Sequence, residues 1–382
     1  MIIFVIDISG RVSNYDVALC DAATKAIGEG DKLILMCPLY EFKGHSRLGR
    51  LLNFIPRKYR SSEKKWKRFI KLIEVTINYL IVLFKVLWIK PNIVHFQWFP
   101  LLEFALLEYY VVKSMRCFSK KTKIVLTIHN IYPHNIPEVN KKKYKVRFIK
   151  IASLIDSFIV HTNESKKSVV NEFLLKTHKV SVIHHGIFIP HDFEPKINSV
   201  KQDNLTFIMY GSMSGYKGVD LFVEAFKILP EGYKTRAHGI IAGAINDNKL
   251  KDYINKEING LNIDYYPYFL PEQELYEKID NSNVIVLPYR QISQSGVLLL
   301  ALHFRRYIIT SDLPAFKETL EGFTDDMFFE NGNADSLCQL MIKYLDGQIN
   351  TTHELMVIEK LNKQYSWEKA GTQTIGLYNS LL

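Results

Sequence analysis

From Met209 to Phe226 the chain reads Met-Tyr-Gly-Ser-Met-Ser-Gly-Tyr-Lys-Gly-Val-Asp-Leu-Phe-Val-Glu-Ala-Phe. An apolar run, Leu205 to Tyr210, stops at Gly211, and a short Gly/Ser loop follows. Lys217 and Gly218 then open an amphipathic segment with Val219, Phe222 and Phe226 on one side. Strand, flexible loop, cation and helix N-terminus in that order make an anion site: bare N–H groups and the helix dipole favour phosphate, and Lys217 adds a full charge. An ordinary strand-to-helix turn with a surface lysine shares the local pattern. A second segment repeats the logic. After Val284–Leu287 come Tyr289, Arg290, Ser293 and Ser295-Gly296-Val297, a polar loop feeding a helix through small residues whose N–H groups can approach an anion. Plain helix capping is the alternative there. Two such elements at adjacent strand ends favour a diphosphate site over either alone.

Strand-end loops also carry the histidines. His129-Asn130 and then His134 follow Lys123–Ile128, His161 follows Ser157–Val160, and His184-His185-Gly186 follow Val180–Ile183. A single histidine is more often structural than chemical, but a shared place at strand C-termini singles out His129. No acidic cluster accompanies them, and the expectation is that no metal is held. Ser9-Gly10-Arg11-Val12-Ser13-Asn14 follows the first strand. Gly10 permits a tight turn and Arg11 suits a phosphate, so Gly10, Arg11 and Asn14 are candidates for an acceptor side; a plain loop fits equally.

Elements that would position these loops alternate along the chain. In the first half strands are expected at Ile2–Ile8, Lys32–Cys37, Ile93–Phe96, Lys123–Ile128, Ser157–His161 and Val180–Ile183, with helices over Tyr15–Ala26, Arg68–Leu87 and Leu101–Arg116. In the second half strands are expected at Leu205–Tyr210, His238–Ala242, Ile263–Tyr266, Val284–Leu287 and Tyr307–Thr310, with helices beginning near Gly218, Asn248, Glu272, Gly296, Pro314 and Ala334. Strands alternating with helices predict parallel sheets covered by helices, and 382 residues predict two domains. The polar, Pro-containing stretch from Pro190 to Asn204 marks the boundary. Ligands of open α/β sheets lie outside the carboxyl ends of the strands, here in a cleft expected between the domains. The start, Ile2–Ile8, has no basic leader and reads as a buried strand rather than a signal peptide.

The formal charge is +10 and it is concentrated: Arg57, Lys58, Arg60, Lys64, Lys65, Lys67, Arg68 and Lys71 crowd one stretch, ahead of an apolar segment bounded by Trp66 and Trp88. Basic and aromatic residues beside an apolar face suit a helix on an anionic membrane surface, with a core helix after a solvated loop as the alternative. Lys71, Glu74, Asn78 and Lys85 make the segment a poor bilayer span. No nucleic-acid-binding motif accompanies the charge, so no nucleic-acid partner is expected. Four scattered cysteines, without a CxxC, suit a reducing compartment. No G-x-G-x-x-G follows a strand with an acidic residue downstream, which argues against a dinucleotide oxidoreductase.

Several segments together resemble one family. Gly211-x5-Lys217-Gly218-Val219-Asp220, Tyr268-Phe269-Leu270-Pro271-Glu272-x2-Leu275, Leu287-Pro288-Tyr289, Ser295-Gly296-Val297-Leu298-Leu299 and Ile308-Ile309-Thr310-Ser311-Asp312 resemble the donor domain of GT-B glycosyltransferases, and within them the retaining family 4. Thr127-Ile128-His129-Asn130 and His184-His185-Gly186 resemble acceptor-domain and hinge-proximal signatures, and Tyr365-Ser366-Trp367-Glu368 with Leu377-Tyr378 resembles a C-terminal helix that crosses back to the first domain. The implied fold is α/β GT-B, two Rossmann-like doubly wound domains facing each other across a cleft. It would comprise residues 1–190, residues 191–365, and a returning helix over 366–382.

The resemblance implies transfer of a sugar, with retention of configuration, from a UDP- or GDP-linked donor to a glycan or polyprenyl-diphosphate-linked acceptor. No metal or other cofactor is implied, because fixed cations neutralise the leaving diphosphate. By position Lys217 would do so, Gly211, Ser212, Gly218 and Ser295-Gly296-Val297 would line the diphosphate, Tyr268, Pro271 and Glu272 would border the base, and His129 would orient the transferred sugar. Two departures stand out. Leu300 occupies the position of a ribose-binding glutamate, with Ile292, Ser293 or Gln294 covering a second acidic position, and Ser212 replaces a common arginine. Loss of one cation would weaken leaving-group stabilisation by about 2 kcal/mol or more, with Arg290 as the expected replacement ahead of Arg306. The expected setting is bacterial surface-polysaccharide assembly, cytoplasmic and peripheral on the inner membrane face through Arg57–Lys71. The rival is a weakened or inactive relative that binds sugar nucleotide or glycan.

Overall fold

The computed structural model describes residues 1–10, 12–38, 48–54, 65–133, 136–188, 193–195, 204–292, 295–349 and 351–382. Arg11, Ser293, Gln294, His134 and the whole basic 57–64 stretch lie outside the described residues. The chain divides into two compact units, Met1–Gly186 with Trp367–Leu382, and Ile187–Ser366. The first division thus comes a few residues before the expected 190, at Gly186.

The first unit holds β1 (Ile2–Ile6), α1 (Ser13–Ala26), β2 (Lys32–Cys37), β3 (Leu48–Arg50), α2 (Lys65–Ile89), β4 (Ile93–Phe96), α3 (Leu107–Phe118), β5 (Lys123–Thr127), α4 (Glu138–Ala152), β6 (Ser157–Val160), α5 (Asn163–Phe173) and β7 (Val180–Val182). Its strands form one parallel sheet in the order β3-β2-β1-β4-β5-β6-β7. Near-continuous apolar runs explain why it is covered on both sides. Phe4, Ile6, Val94, Phe96, Ile124, Leu126 and Phe158 point to the face carrying α2 to α5, while Ile3, Val5, Leu33, Leu35, Val125 and Ile159 point to the other. That second face is covered by α1 and by the last helix, α14 (Trp367–Leu381), which packs through Gly371 on the backbone of Ala22 and Ala23.

Helix α3 starts six residues later than the apolar pattern predicts. Buried Glu108 accepts the Leu101 N–H at 2.6 Å, which ties residues 101–106 into turns ahead of the helix. A two-faced apolar pattern cannot reveal such a local competitor.

The second unit holds β8 (Leu205–Tyr210), α6 (Val219–Ile228), α7 (Glu231–Lys234), β9 (Ala237–Ala242), α8 (Asn248–Glu257), β10 (Ile263–Tyr266), α9 (Glu272–Asp280), β11 (Val284–Leu287), α10 (Gly296–Phe304), β12 (Tyr307–Ser311), α11 (Pro314–Thr319), β13 (Phe328–Phe329), α12 (Ala334–Leu345) and α13 (Thr351–Gln364). The sheet is parallel, in the order β10-β9-β8-β11-β12-β13. In each sheet the winding reverses next to the first strand, between β1 and β4 and between β8 and β11. Crevices that admit ligands open at such reversals, on the carboxyl edge.

Candidate functional site

At the carboxyl end of β8, Gly211 turns at φ +101° and the chain makes a single turn, Gly215–Lys217, before α6. Gly218 caps α6 at φ +69°, a conformation that L side chains rarely adopt, and a Cβ there would overlap the Pro288 carbonyl. The phosphate-type loop is thereby pressed against the loop that follows β11. Across that seam, Ser295 caps α10 by accepting the Leu298 N–H at 3.1 Å, and the Tyr210 hydroxyl donates to the Val297 carbonyl at 2.8 Å. A Cβ on Gly211 would stand 3.2 Å from both Lys217 Nζ and Val297 Cγ2. Lys217, Gly211 and the α10 N-terminus therefore meet at one point.

Lys217 is only 7% exposed, and among the described residues no carboxylate pairs with it. Its Nζ lies 5.3 Å from the centre of the buried Tyr289 ring. Burial lowers its pKa to about 8. A buried cation flanked by two helix N-termini is an arrangement that an anion completes.

Arg290 is placed differently from Lys217. Its Nη1 and Nη2 donate to both oxygens of Asp220 at 2.8 and 2.7 Å, and Nη1 also reaches the Gly215 carbonyl at 3.0 Å. Asp220 raises its pKa, and the pair braces the Lys217 turn against the β11 loop. Arg306 lies at the opposite, amino edge of the sheet, where its guanidinium bonds Asp280 in the interior. Tyr268, Pro271 and Glu272 are exposed on the loop from β10 to α9, two strands from β8 on the same edge. Ser212 is exposed, and Leu300 packs its half-buried side chain on the second unit's core.

In the first unit the histidines converge at the reversal between β1 and β4. His161 Nδ1–H donates to the Ile183 carbonyl at 2.9 Å, and its Nε2 lies 3.2 Å from His129 Nδ1. Burial lowers the His161 pKa to about 4, so its Nε2 keeps a lone pair and His129 donates from Nδ1. His129 Nε2, 3.3 Å from the Gln97 amide, then bears the lone pair, which requires that amide to present its NH2. His129 is driven well below the usual range by burial and then by its histidine neighbours, although part of its surface is exposed.

Tyr15 lies at the centre of this group. Its ring centre is 4.8 Å from that of His129 and 5.3 Å from those of His161, His185 and Trp367. Buried His95 bonds Thr127 Oγ1 at 2.7 Å and the Tyr378 hydroxyl of α14 at 2.6 Å, and burial lowers its pKa to about 3. Among the described residues, no three His, Cys, Asp or Glu groups are placed to hold a metal ion.

The loop after β1 is pinned by Asp7, which accepts the Ser9 N–H, the Ser9 hydroxyl and the Val12 N–H at 3.0, 3.0 and 3.1 Å. Gly10 turns there at φ +61°, and Asn14 is exposed in the first turn of α1. Buried Asp16, beside Asp7, is raised well above the usual carboxyl range by burial and by the Asp7 charge.

Sequence reasoning singled out His129 and His161 and named Trp367 and Tyr378 only as part of a returning helix; it missed His95, Gln97 and Tyr15 as members of this group. The available signal was a histidine inside the apolar strand Ile-Val-His-Phe, which has to find buried partners.

Residues 204–347 match the family described as Glycosyl transferases group 1. Over the whole length, the chain is similar to sucrose-phosphate synthase from Thermosynechococcus elongatus, with a TM-score of 0.72 at 15% identity over 100% of this chain and 98% of that one. It is also similar to a glycosyltransferase from Rickettsia africae ESF-5, with a TM-score of 0.68 at 16% identity, covering 100% and 98%. A third similar structure is Anabaena HepE, solved with UDP-glucose, with a TM-score of 0.68 at 12% identity, covering 100% and 99%. No curated protein sequence matches the chain significantly. Residues 204–347 are thus similar to the group 1 glycosyl transferases, and the chain has the α/β fold of its GT-B glycosyltransferase neighbours.

Proposed function

We propose that this protein is a retaining glycosyltransferase that takes a sugar from a UDP- or GDP-linked donor and places it on a glycan or polyprenyl-diphosphate-linked acceptor. The observation that carries the reading is the buried, carboxylate-free Lys217 between the N-termini of α6 and α10. A nucleoside diphosphate leaving group supplies the two negative centres that this arrangement lacks. As the glycosidic C–O bond breaks, charge grows on the diphosphate; Lys217 and the N–H groups of Val219 and Ser295-Gly296-Val297 would stabilise it. The acceptor hydroxyl attacks from the face the diphosphate leaves and passes its proton to the departing phosphate, so no enzyme nucleophile is needed. Fixed charge does the work assigned elsewhere to a metal ion.

In this reading His129 stays neutral and orients sugar hydroxyls through the nitrogen at its Gln97 side. Gly10, Asn14 and the Asp7-pinned loop border the acceptor, and Tyr268, Pro271 and Glu272 border the base. Anabaena HepE, solved with UDP-glucose, supports a UDP-linked donor. The lipopolysaccharide outer core galactosyltransferase WaaB, similar at a TM-score of 0.63 and 14% identity, supports a role in surface-polysaccharide assembly.

Leu300 and the commitment of Arg290 to Asp220 favour a second reading, a weakened relative that binds donor without turnover. A thermal-shift screen against UDP-, GDP-, ADP- and dTDP-sugars, followed by a donor-hydrolysis and transfer assay, separates the two. A selective rise with one base together with turnover supports the transferase. A rise without turnover supports the binder, and no shift with any donor overturns the donor site.

A further inference from the structure

Helix α2 is apolar on two sides. Val75, Tyr79, Val82 and Val86 are buried against the first unit's sheet. At 100° per residue, Phe69, Ile73, Leu80, Phe84 and Trp88 fall on the opposite side, within an arc of about 100°. All five are exposed, Phe84 to 65% and Trp88 to 78%. Trp66, at the other end, is exposed on the same arc. From Phe69 to Trp88 this exposed apolar stripe is longer than soluble surfaces ordinarily present.

Phe69–Ile89 is long and apolar enough to cross a membrane, with a mean hydropathy of 1.9. Its polar residues argue for a helix that stays docked instead. Glu74 accepts the Phe54 N–H at 2.7 Å, and Asn78 bonds the Leu52 N–H and carbonyl at 2.8 and 3.0 Å. Drawing α2 into a bilayer would strip both side chains of those partners. What remains for the outer stripe is to lie along an interface.

Charge identifies which interface. Two residues after Trp88, Lys90 lines a pocket of about 440 Å³ together with Phe118, Lys120 and Lys121, and no carboxylate is among the lining residues. The three lysines and Phe118 are exposed. Pairing with a second copy would bury apolar side chains but would leave this concentration of positive charge unanswered.

We propose that the outer stripe of α2, together with the Lys90–Lys120–Lys121 pocket, is a docking surface for an anionic lipid membrane. The aromatic side chains enter the boundary between headgroups and acyl chains, and the pocket takes a lipid phosphate. The surface is independent of the reaction, and its failure would leave the donor site untouched.

The test is co-sedimentation of the full chain at low salt with vesicles of equal parts phosphatidylcholine and phosphatidylglycerol, and with phosphatidylcholine alone. The wild type should partition several-fold more strongly onto the anionic vesicles. Phe84→Glu with Trp88→Glu should lower that partitioning by about tenfold or more. Lys90→Glu with Lys120→Glu and Lys121→Glu should abolish the preference for phosphatidylglycerol. Unchanged melting temperatures would show that the variants fold. The proposal is overturned if the wild type does not bind anionic vesicles, if either variant binds as it does, or if the stripe is instead consumed in a dimer that the Phe84/Trp88 variant dissociates.

Discussion

Lys217 has a depressed pKa, to about 8, and this gives it a testable signature. Below about pH 8 it is protonated in both the folded and unfolded chain, and its burial penalty is fully present. Between there and the ordinary lysine range the unfolded chain binds more protons, so the unliganded protein gains stability as pH rises. A bound diphosphate favours the ammonium and opposes that change. Titration calorimetry with UDP should therefore show affinity falling by up to about tenfold per unit above pH 8, with proton uptake on binding. Lys217→Ala should remove that pH dependence and lower turnover about 10²–10³-fold at an unchanged fold, because it deletes charge stabilisation of the leaving group. Turnover within a few-fold of wild type would show that the diphosphate lies elsewhere. In the proposed reaction His161 would act through His129, whose Nδ1 its Nε2 faces at 3.2 Å. Its replacement by Leu should lower kcat while leaving donor affinity intact, since His129 would lose the acceptor that fixes its tautomer.

At the scale of elements, the proposed anion site is a matter of how α6 and α10 are seated. Gly218 combines a positive φ with direct apposition to Pro288, so Gly218→Ala should destabilise the protein by about 1–3 kcal/mol and weaken nucleotide binding as well, measured by urea unfolding and titration of the same sample. The strand-loop-helix order around Lys217 was legible because its parts are contiguous: an apolar run, a glycine, a cation and an amphipathic segment. The histidine cluster was only half legible. His129 and His161 stand at strand ends and announce themselves, whereas Tyr15 and Tyr378 come from helices hundreds of residues apart and join them only in the packed sheet. Strand β3 was missed because three residues, Leu-Gly-Arg, carry no alternation. Helix α4 escaped notice because its lysine-rich sequence shows the core only Tyr144, Phe148, Ile151 and Ala152.

For the molecule as a whole, each unit has a sheet and core of its own, so the second can be tested alone. Residues 187–366, expressed separately, should fold and retain nucleotide binding, because β8, α6, β11 and α10 all belong to that unit. Loss of cooperative unfolding in that fragment would show that its core is incomplete. The first unit is not contiguous in the chain. It closes with α14, whose Gly371 meets Ala22 and Ala23 and whose Tyr378 holds His95. During synthesis the ribosome delivers this helix after the whole of the second unit. The first unit's nascent sheet therefore waits, with one apolar face lacking a helix, through about 180 further residues, roughly ten to forty seconds at ordinary elongation rates. A chain released early would keep the anion site but leave Tyr15 and the histidines uncovered, and that exposed face is what chaperones and proteases read as unfinished. Synthesis through α14 is thus a condition for assembling the histidine cluster.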